Sequence, residues 1–234
     1  MRGGDRMPGW DTSKWGFSTD ILGLFGNASG AASSSLALWG GDSQRNQDAI
    51  NGLGVTGGLS TVVNSAGNLA NAGDKAEAGE SILGIGSGIF NSMAGAVGLA
   101  GRGKDGPNFA SNVMYGVGGG LGALSGAMGI ANTVKNAKKN KDQSKLQTAT
   151  GILSSGGGML GGIGGMLMGI GGAKGKSGSS LAQAGKWISL IGSGAGMLGN
   201  VINLFAKSRA KKKAPQPQVP QPQVNAAAAA DSTA

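Results

Sequence analysis

Residues Gly151 to Ala173 read GILSSGGGMLGGIGGMLMGIGGA, twenty-three residues without a charge. Written as a helix, Gly157, Gly161, Gly165 and Gly169 recur every fourth position and form a groove along one side. Leu153, Leu160 and Leu167 recur every seventh and form a ridge on another, with Met159, Ile163, Met166 and Ile170 beside them. Water disfavours such a helix, because each glycine costs about 0.8–1.0 kcal/mol relative to alanine. Lipid changes the balance. The chain must close its own hydrogen bonds there, and small residues four apart let a second helix approach to backbone contact. The stretch predicts a glycine-zipper helix made to associate in or on a membrane.

Outward from it, charges fall only in short gaps. Six uncharged runs result: Ile21–Gly41, Ala49–Gly73, Ser81–Gly101, Gly106–Val134, Leu146–Ala173 and Trp187–Ala206. Each is long enough to cross a hydrocarbon core of roughly 30 Å as a helix. Strict polar–apolar alternation is missing and β-branched residues are sparse, which argues against strands. Ile21-Leu22-Gly23-Leu24 recurs as Ile82-Leu83-Gly84-Ile85, and Gly54–Leu59 recurs as Gly116–Leu121, at offsets of 61 and 62. Ser155–Gly161 also resembles Ser193–Gly199. The reading is an all-α fold of about six glycine-rich helices in three hairpins. A polar segment (1–20) and a basic, Pro/Gln/Ala-rich tail (207–234) flank the helical region (21–206), and both ends are expected to be flexible.

Further small-residue rows sit at Gly118/Gly122/Gly126 and Gly192/Gly196, and these join the 157–169 row as candidate packing positions. The runs differ in hydrophobicity. Gly151–Ala173 and Trp187–Ala206 are the most apolar. Ser33, Ser34 and Ser35 interrupt the first run, and four asparagines with much Ser/Thr weaken the second. Mean hydropathy is only −0.02. Segments this weak suit a protein that is first soluble and later inserts, or one that lies in the interface.

Composition excludes much chemistry. Cysteine and histidine are absent, which removes disulfides, thiolates and the commonest general base and metal ligand. Gly52-Leu53-Gly54-Val55-Thr56-Gly57 fits a dinucleotide-loop pattern but lacks the buried strand that must precede it. Gly175-Lys176-Ser177 ends like a phosphate loop, yet the first glycine of that motif would fall on Ile170. Asp74, Glu77 and Glu80 share a polar turn with Lys75 and read as a solvated capping segment. No enzyme, cofactor or metal site is expected.

Net charge is +9, divided as −3 over residues 1–100 and +12 over 101–234. Lys135, Lys138, Lys139 and Lys141 form one basic cluster, and Lys207, Arg209, Lys211, Lys212 and Lys213 form another beside the last apolar run. Both suit anionic lipid headgroups or nucleic-acid phosphates. If six helices span, the side holding both termini sums to +7, counting the tail to Lys213, and the other to +2, counting Lys174 and Lys176 of its last turn, so positive-inside logic keeps both termini on the side of origin. The opening MRGGDRMPGW has no continuous apolar stretch, so no Sec-type signal peptide is expected. Trp10, Trp15 and Phe17 are candidate interface anchors.

In its GxxxG ladders at 118–126 and 157–169 the chain resembles glycine-zipper pore-forming toxins and secreted effectors. It also resembles harpin-like secreted proteins in being glycine-rich and cysteine-free, although it is basic where those are acidic. The first resemblance implies a protein delivered by a non-Sec route, with a chaperone or delivery machine, that oligomerises in a target bilayer and permeabilises it. Two alternatives stand beside it: a virion or injection-machine protein lining a DNA-ejection channel, and a non-specific nucleic-acid-binding protein.

Overall fold

The computed structural model describes residues 12–41, 43–101, 105–139, 145–173 and 180–213. Six α-helices account for nearly all of them, with no strand among the described residues. They are α1 Thr12–Trp39, α2 Gln44–Ala70, α3 Lys75–Ala100, α4 Asp105–Lys139, α5 Lys145–Ala173 and α6 Ser180–Lys213. Each grows from one of the uncharged runs, and α2 and α3 borrow their first turn from the charged gap before them. The reason is capping. Ser43 accepts the Asn46 amide at the start of α2, and Asp74 accepts the Ala76 and Glu77 amides at the start of α3. Helix α1 begins earlier than the sequence reading allowed, taking Thr12–Asp20 out of the expected polar tail.

The helices run up and down, each packed on its neighbours in sequence, and α1 packs on α6 to complete the circuit. None of the described helices sits at the centre. The hairpins α1–α2, α3–α4 and α5–α6 are thus three sectors of one closed ring.

Glycine sets the spacing of the walls. A methyl placed on Gly162 would sit 2.6 Å from the Gly119 carbonyl oxygen, and one on Gly119 would sit 2.6 Å from that of Gly162. Gly58 and Gly88 face each other across α2 and α3 in the same reciprocal way, as do Gly157 and Gly192 across α5 and α6. Only a residue without Cβ permits such backbone contact. Serines then tie wall to wall: Ser87 Oγ donates to the Gly118 carbonyl (2.8 Å) and Ser111 Oγ to that of Ala94 (2.7 Å). Bonds of this kind between helices in lipid average about 0.6 kcal/mol.

The closing seam has its own pattern. Gly23, Asn27, Gly30 and Ser34 on α1 oppose Asn200, Gly196, Ser193 and Ser189 on α6, in steps of four, three and four. That is heptad spacing with glycine holes and amide or hydroxyl knobs in place of leucines. Ser34 Oγ donates to Ser189 Oγ at 3.0 Å within it.

The row Gly157, Gly161, Gly165, Gly169 does not form one groove, and this corrects the sequence reading. Gly157 meets α6 at Gly192 and Gly196, while Gly169 meets α4 at Asn112 and Gly116. Between them, Gly161 and Gly165 border the interior of the ring. Four residues advance a helix by one turn plus about 40°. Three such steps turn the row through about 120°, the angle between the two neighbours of any member of a six-membered ring. The shorter row behaves alike: Gly118 meets α3 at Asn91 and Ser87, and Gly126 meets α5 at Met159 and Ser155. Gly122 lies between them, facing Ser87 and the interior. Gly192 faces α5, whereas Gly196 receives the Asn27 side chain from α1.

Candidate functional site

The ring surrounds a partly open cavity of about 490 Å³ to which all six helices contribute. Its wall is mostly glycine and small polar side chains (Ser29, Ser33 and Asn27 from α1, Thr61, Asn64 and Asn68 from α2, Ser193 and Asn200 from α6), with Leu22, Leu53, Met168 and Tyr115 also on it. Ser34 and Thr150 are each only 2% exposed, and Ala94 and Ala182 are the whole of the buried hydrophobic set among the described residues. Most large apolar side chains lie outside. Phe25 is 62% exposed, Phe205 67%, and Leu59, Leu124, Ile191 and Leu198 are comparably open. Soluble proteins bury such groups, at roughly 1.5–3 kcal/mol each; here the arrangement is inverted.

Polar groups inside are organised in layers. At the end that holds the start of α1, the Asn64 and Asn200 amides converge over Gly23, and Ser154 Oγ donates to Asn200 Oδ1 at 2.9 Å. At the other end Tyr115 reaches from α4 across to Gly54 on α2. Its hydroxyl is buried and, among the described residues, is the side-chain polar atom left without a hydrogen-bond partner.

Asp74, Glu77 and Glu80 do not form the single solvated segment expected of them. Asp74 caps α3 and takes the Lys135 ammonium at 2.5 Å. Glu77 accepts the Gly73 amide (2.7 Å) and the Asn136 amide group (3.0 Å). Glu80 turns inward to the cavity wall, where Asn132 Nδ2 donates to it at 2.8 Å. Three residues step a helix by about 300°, so each carboxylate is turned about 60° from the one before it, and only Glu80 borders the cavity.

The Lys135 ammonium, helped by the Glu77 and Ala76 amides, holds the Asp74 carboxyl down at about 2. A depressed value means a stabilising contribution that is complete above the ordinary carboxylate range and lost as pH falls through it toward 2. Both side chains are more than one-third exposed, so screening keeps the contribution small. The expected outcome is that detergent-solubilised protein is more heat-stable than Asp74→Asn above pH 4. The two melting temperatures should converge as pH falls from about 4 to 2.

The basic clusters lie at the end of the ring that holds the start of α1. Lys138 and Lys139 are exposed on the last turn of α4, while Lys135 is committed to Asp74. Lys207, Arg209, Lys211, Lys212 and Lys213 continue α6 to its end. Lys141, Gly175-Lys176-Ser177 and Trp10 lie outside the described residues. Gly52–Gly57, the dinucleotide-like pattern, is helical throughout, in the body of α2.

Four helices are long and apolar enough to cross a membrane: Ile21–Trp39, Lys75–Ala100, Asn108–Lys139 and Ser180–Ala206. Helix α5, from which the sequence reading began, is not among them, because glycine carries almost no hydropathy of its own. Aromatics mark the outer rim. Trp39 and Trp187 meet edge to face with centroids 5.6 Å apart, and Phe109 is exposed on α4 toward the same end of the ring. Amphipathic rings at that level are what a membrane–water interface favours.

Comparison with protein-family models, with curated proteins and with solved structures found no match. The class is therefore defined by architecture alone: a closed ring of antiparallel helices, polar within and apolar without. Its chemistry has to be argued from its own side chains.

Proposed function

We propose that the chain inserts into a lipid bilayer and permeabilises it, with the polar interior of the ring as the path for water and small solutes. The observation that carries this reading is the inversion: Ser, Thr and Asn inside, Phe, Leu and Ile outside. Such a surface is at rest only against hydrocarbon. Helices of 26 to 35 residues exceed the roughly 20 needed to span, leaving room for tilt. At about 30 Å³ per molecule the cavity takes on the order of fifteen waters, a thin column rather than a tunnel for nucleic acid. A hydrated column also offers the Tyr115 hydroxyl the partner it lacks within the protein.

The sequence reading assigned the zippers to association between copies. In the ring the glycine contacts are made within one chain, so the proposed conduit needs no second copy. The basic ends of α4 and α6 are the proposed contact with anionic headgroups. Outside a bilayer the apolar exterior needs cover, so a chaperone or delivery machine belongs to the same proposal.

Potassium-loaded liposomes test it. The protein should release potassium while retaining large dyes. Gly161→Leu with Gly165→Leu, whose added Cβ atoms meet nothing closer than 3.4 Å beside the interior, should cut the release on the order of tenfold or more at unchanged helicity. Undiminished release from that variant would move the path elsewhere.

A further inference from the structure

We infer that the ring conducts small cations and that Glu80 is the group that selects them. This rests on the proposed reading of the interior as a conduit and names what passes through it.

The first ground is the composition of the wall. Among the described residues, every side chain bordering the cavity is neutral except Glu80. The helices alternate in direction, so their dipoles oppose one another around the ring and leave little net field along it. The sign of the potential inside is then set by one carboxylate.

The second ground is how that carboxylate is held. Asn132, itself only 8% exposed, donates to one oxygen at 2.8 Å. The other oxygen lies beside Gly129, where a methyl would sit 2.7 Å from Glu80 Oε1 and 2.6 Å from Ser155 Oγ. Ser125 Oγ donates to the Glu80 backbone carbonyl at 3.0 Å, fixing the helix beneath it. Among the described residues no lysine or arginine is ion-paired with Glu80. The neighbouring Asp74 is spent on Lys135. A positioned, uncompensated negative charge beside hydroxyl and amide oxygens is what a dehydrating cation needs and an anion avoids.

The basic groups at the same end act against this, and solvent screening weakens them. Lys138 and Lys139 are exposed on the last turn of α4, where physiological salt screens charge beyond about 8 Å. Glu80 acts at contact. One charge at about 4 Å favours a cation and disfavours an anion by enough to separate them at least about tenfold even in a water-like medium.

Planar bilayers under a potassium chloride gradient read the preference directly. The protein should pass potassium over chloride by at least about tenfold. Glu80→Gln keeps an oxygen for Asn132 and should conduct with the preference lost. Glu80→Asp, which keeps the charge, should retain it. Asn132→Lys, which sets an ammonium against the carboxylate, should abolish the preference by an independent route and serves if the glutamine variant fails to insert. Currents without cation preference, or a preference that survives in Glu80→Gln or Asn132→Lys, overturn the inference and leave the conduit standing. No current from the unaltered protein overturns the conduit itself.

Discussion

Gly162→Leu should part α4 from α5 and abolish potassium release altogether. The obstacle it meets is backbone, the Gly119 carbonyl at 2.6 Å from the new Cβ, with the Gly122 carbonyl carbon nearly as close. A flexible side chain could swing aside; a helix backbone moves only as a body. Overpacking of this kind costs typically about 1–3 kcal/mol and more where nothing can yield, and Gly126 and Gly169 lose their own close contacts when the seam opens. The control is Gly52→Ala on α2, where the added methyl meets nothing within 4 Å. That change should stabilise by up to about 1 kcal/mol through helix propensity alone. Thermal unfolding in detergent and potassium release from liposomes, measured on both variants, check the pair. If Gly162→Leu stays as stable and as leaky as the unaltered chain, close glycine contact is not what holds the ring.

Charge placed on the outside should be as damaging for a different reason. Leu124 and Leu198 are exposed near the middles of α4 and α6. Lysine at a helix centre costs about 2.5–3.5 kcal/mol to insert, so Leu124→Lys with Leu198→Lys should withdraw roughly twice that and leave the protein in the supernatant when liposomes are sedimented. Asn64→Asp, a new charge on the interior wall, should sediment with lipid as before. Equal sedimentation of the double lysine variant would mean that the apolar exterior does not face hydrocarbon.

Helix number and approximate boundaries were legible because charge is confined to the gaps. Asp42–Asp48, Asp74–Glu80, Arg102–Asp105, Lys135–Lys145 and Lys174–Lys186 could only be turns or helix ends, and they divide α1 to α6. Closure was not legible. The α1–α6 seam joins residues more than 150 positions apart, and its Gly, Asn and Ser steps carry no hydrophobic signal at either end. The interior was misread for the same reason. Ser33, Ser34, Asn64 and Asn68 counted as weaknesses in spans, whereas they are the wall of the cavity. Averaged hydropathy cannot separate a weak span from one with a polar inner face. The signal was in the angle: Asn64 and Asn68 stand four apart, with Thr61 three before, on one face of α2. Glu80 was hidden by its neighbours, since Asp74 and Glu77 do cap and satisfy the start of α3 as their sequence suggests.

The account depends on the ring being wet inside and greasy outside, and the absence of native cysteine makes this measurable one position at a time. Single cysteines at Ser33 and Ser154 border the interior; single cysteines at Leu59 and Leu198 replace exposed apolar side chains. In protein reconstituted into liposomes, a small water-soluble thiol reagent should label the first two and spare the last two. Labelling at Leu59 and Leu198 with none at Ser33 and Ser154 would contradict the account.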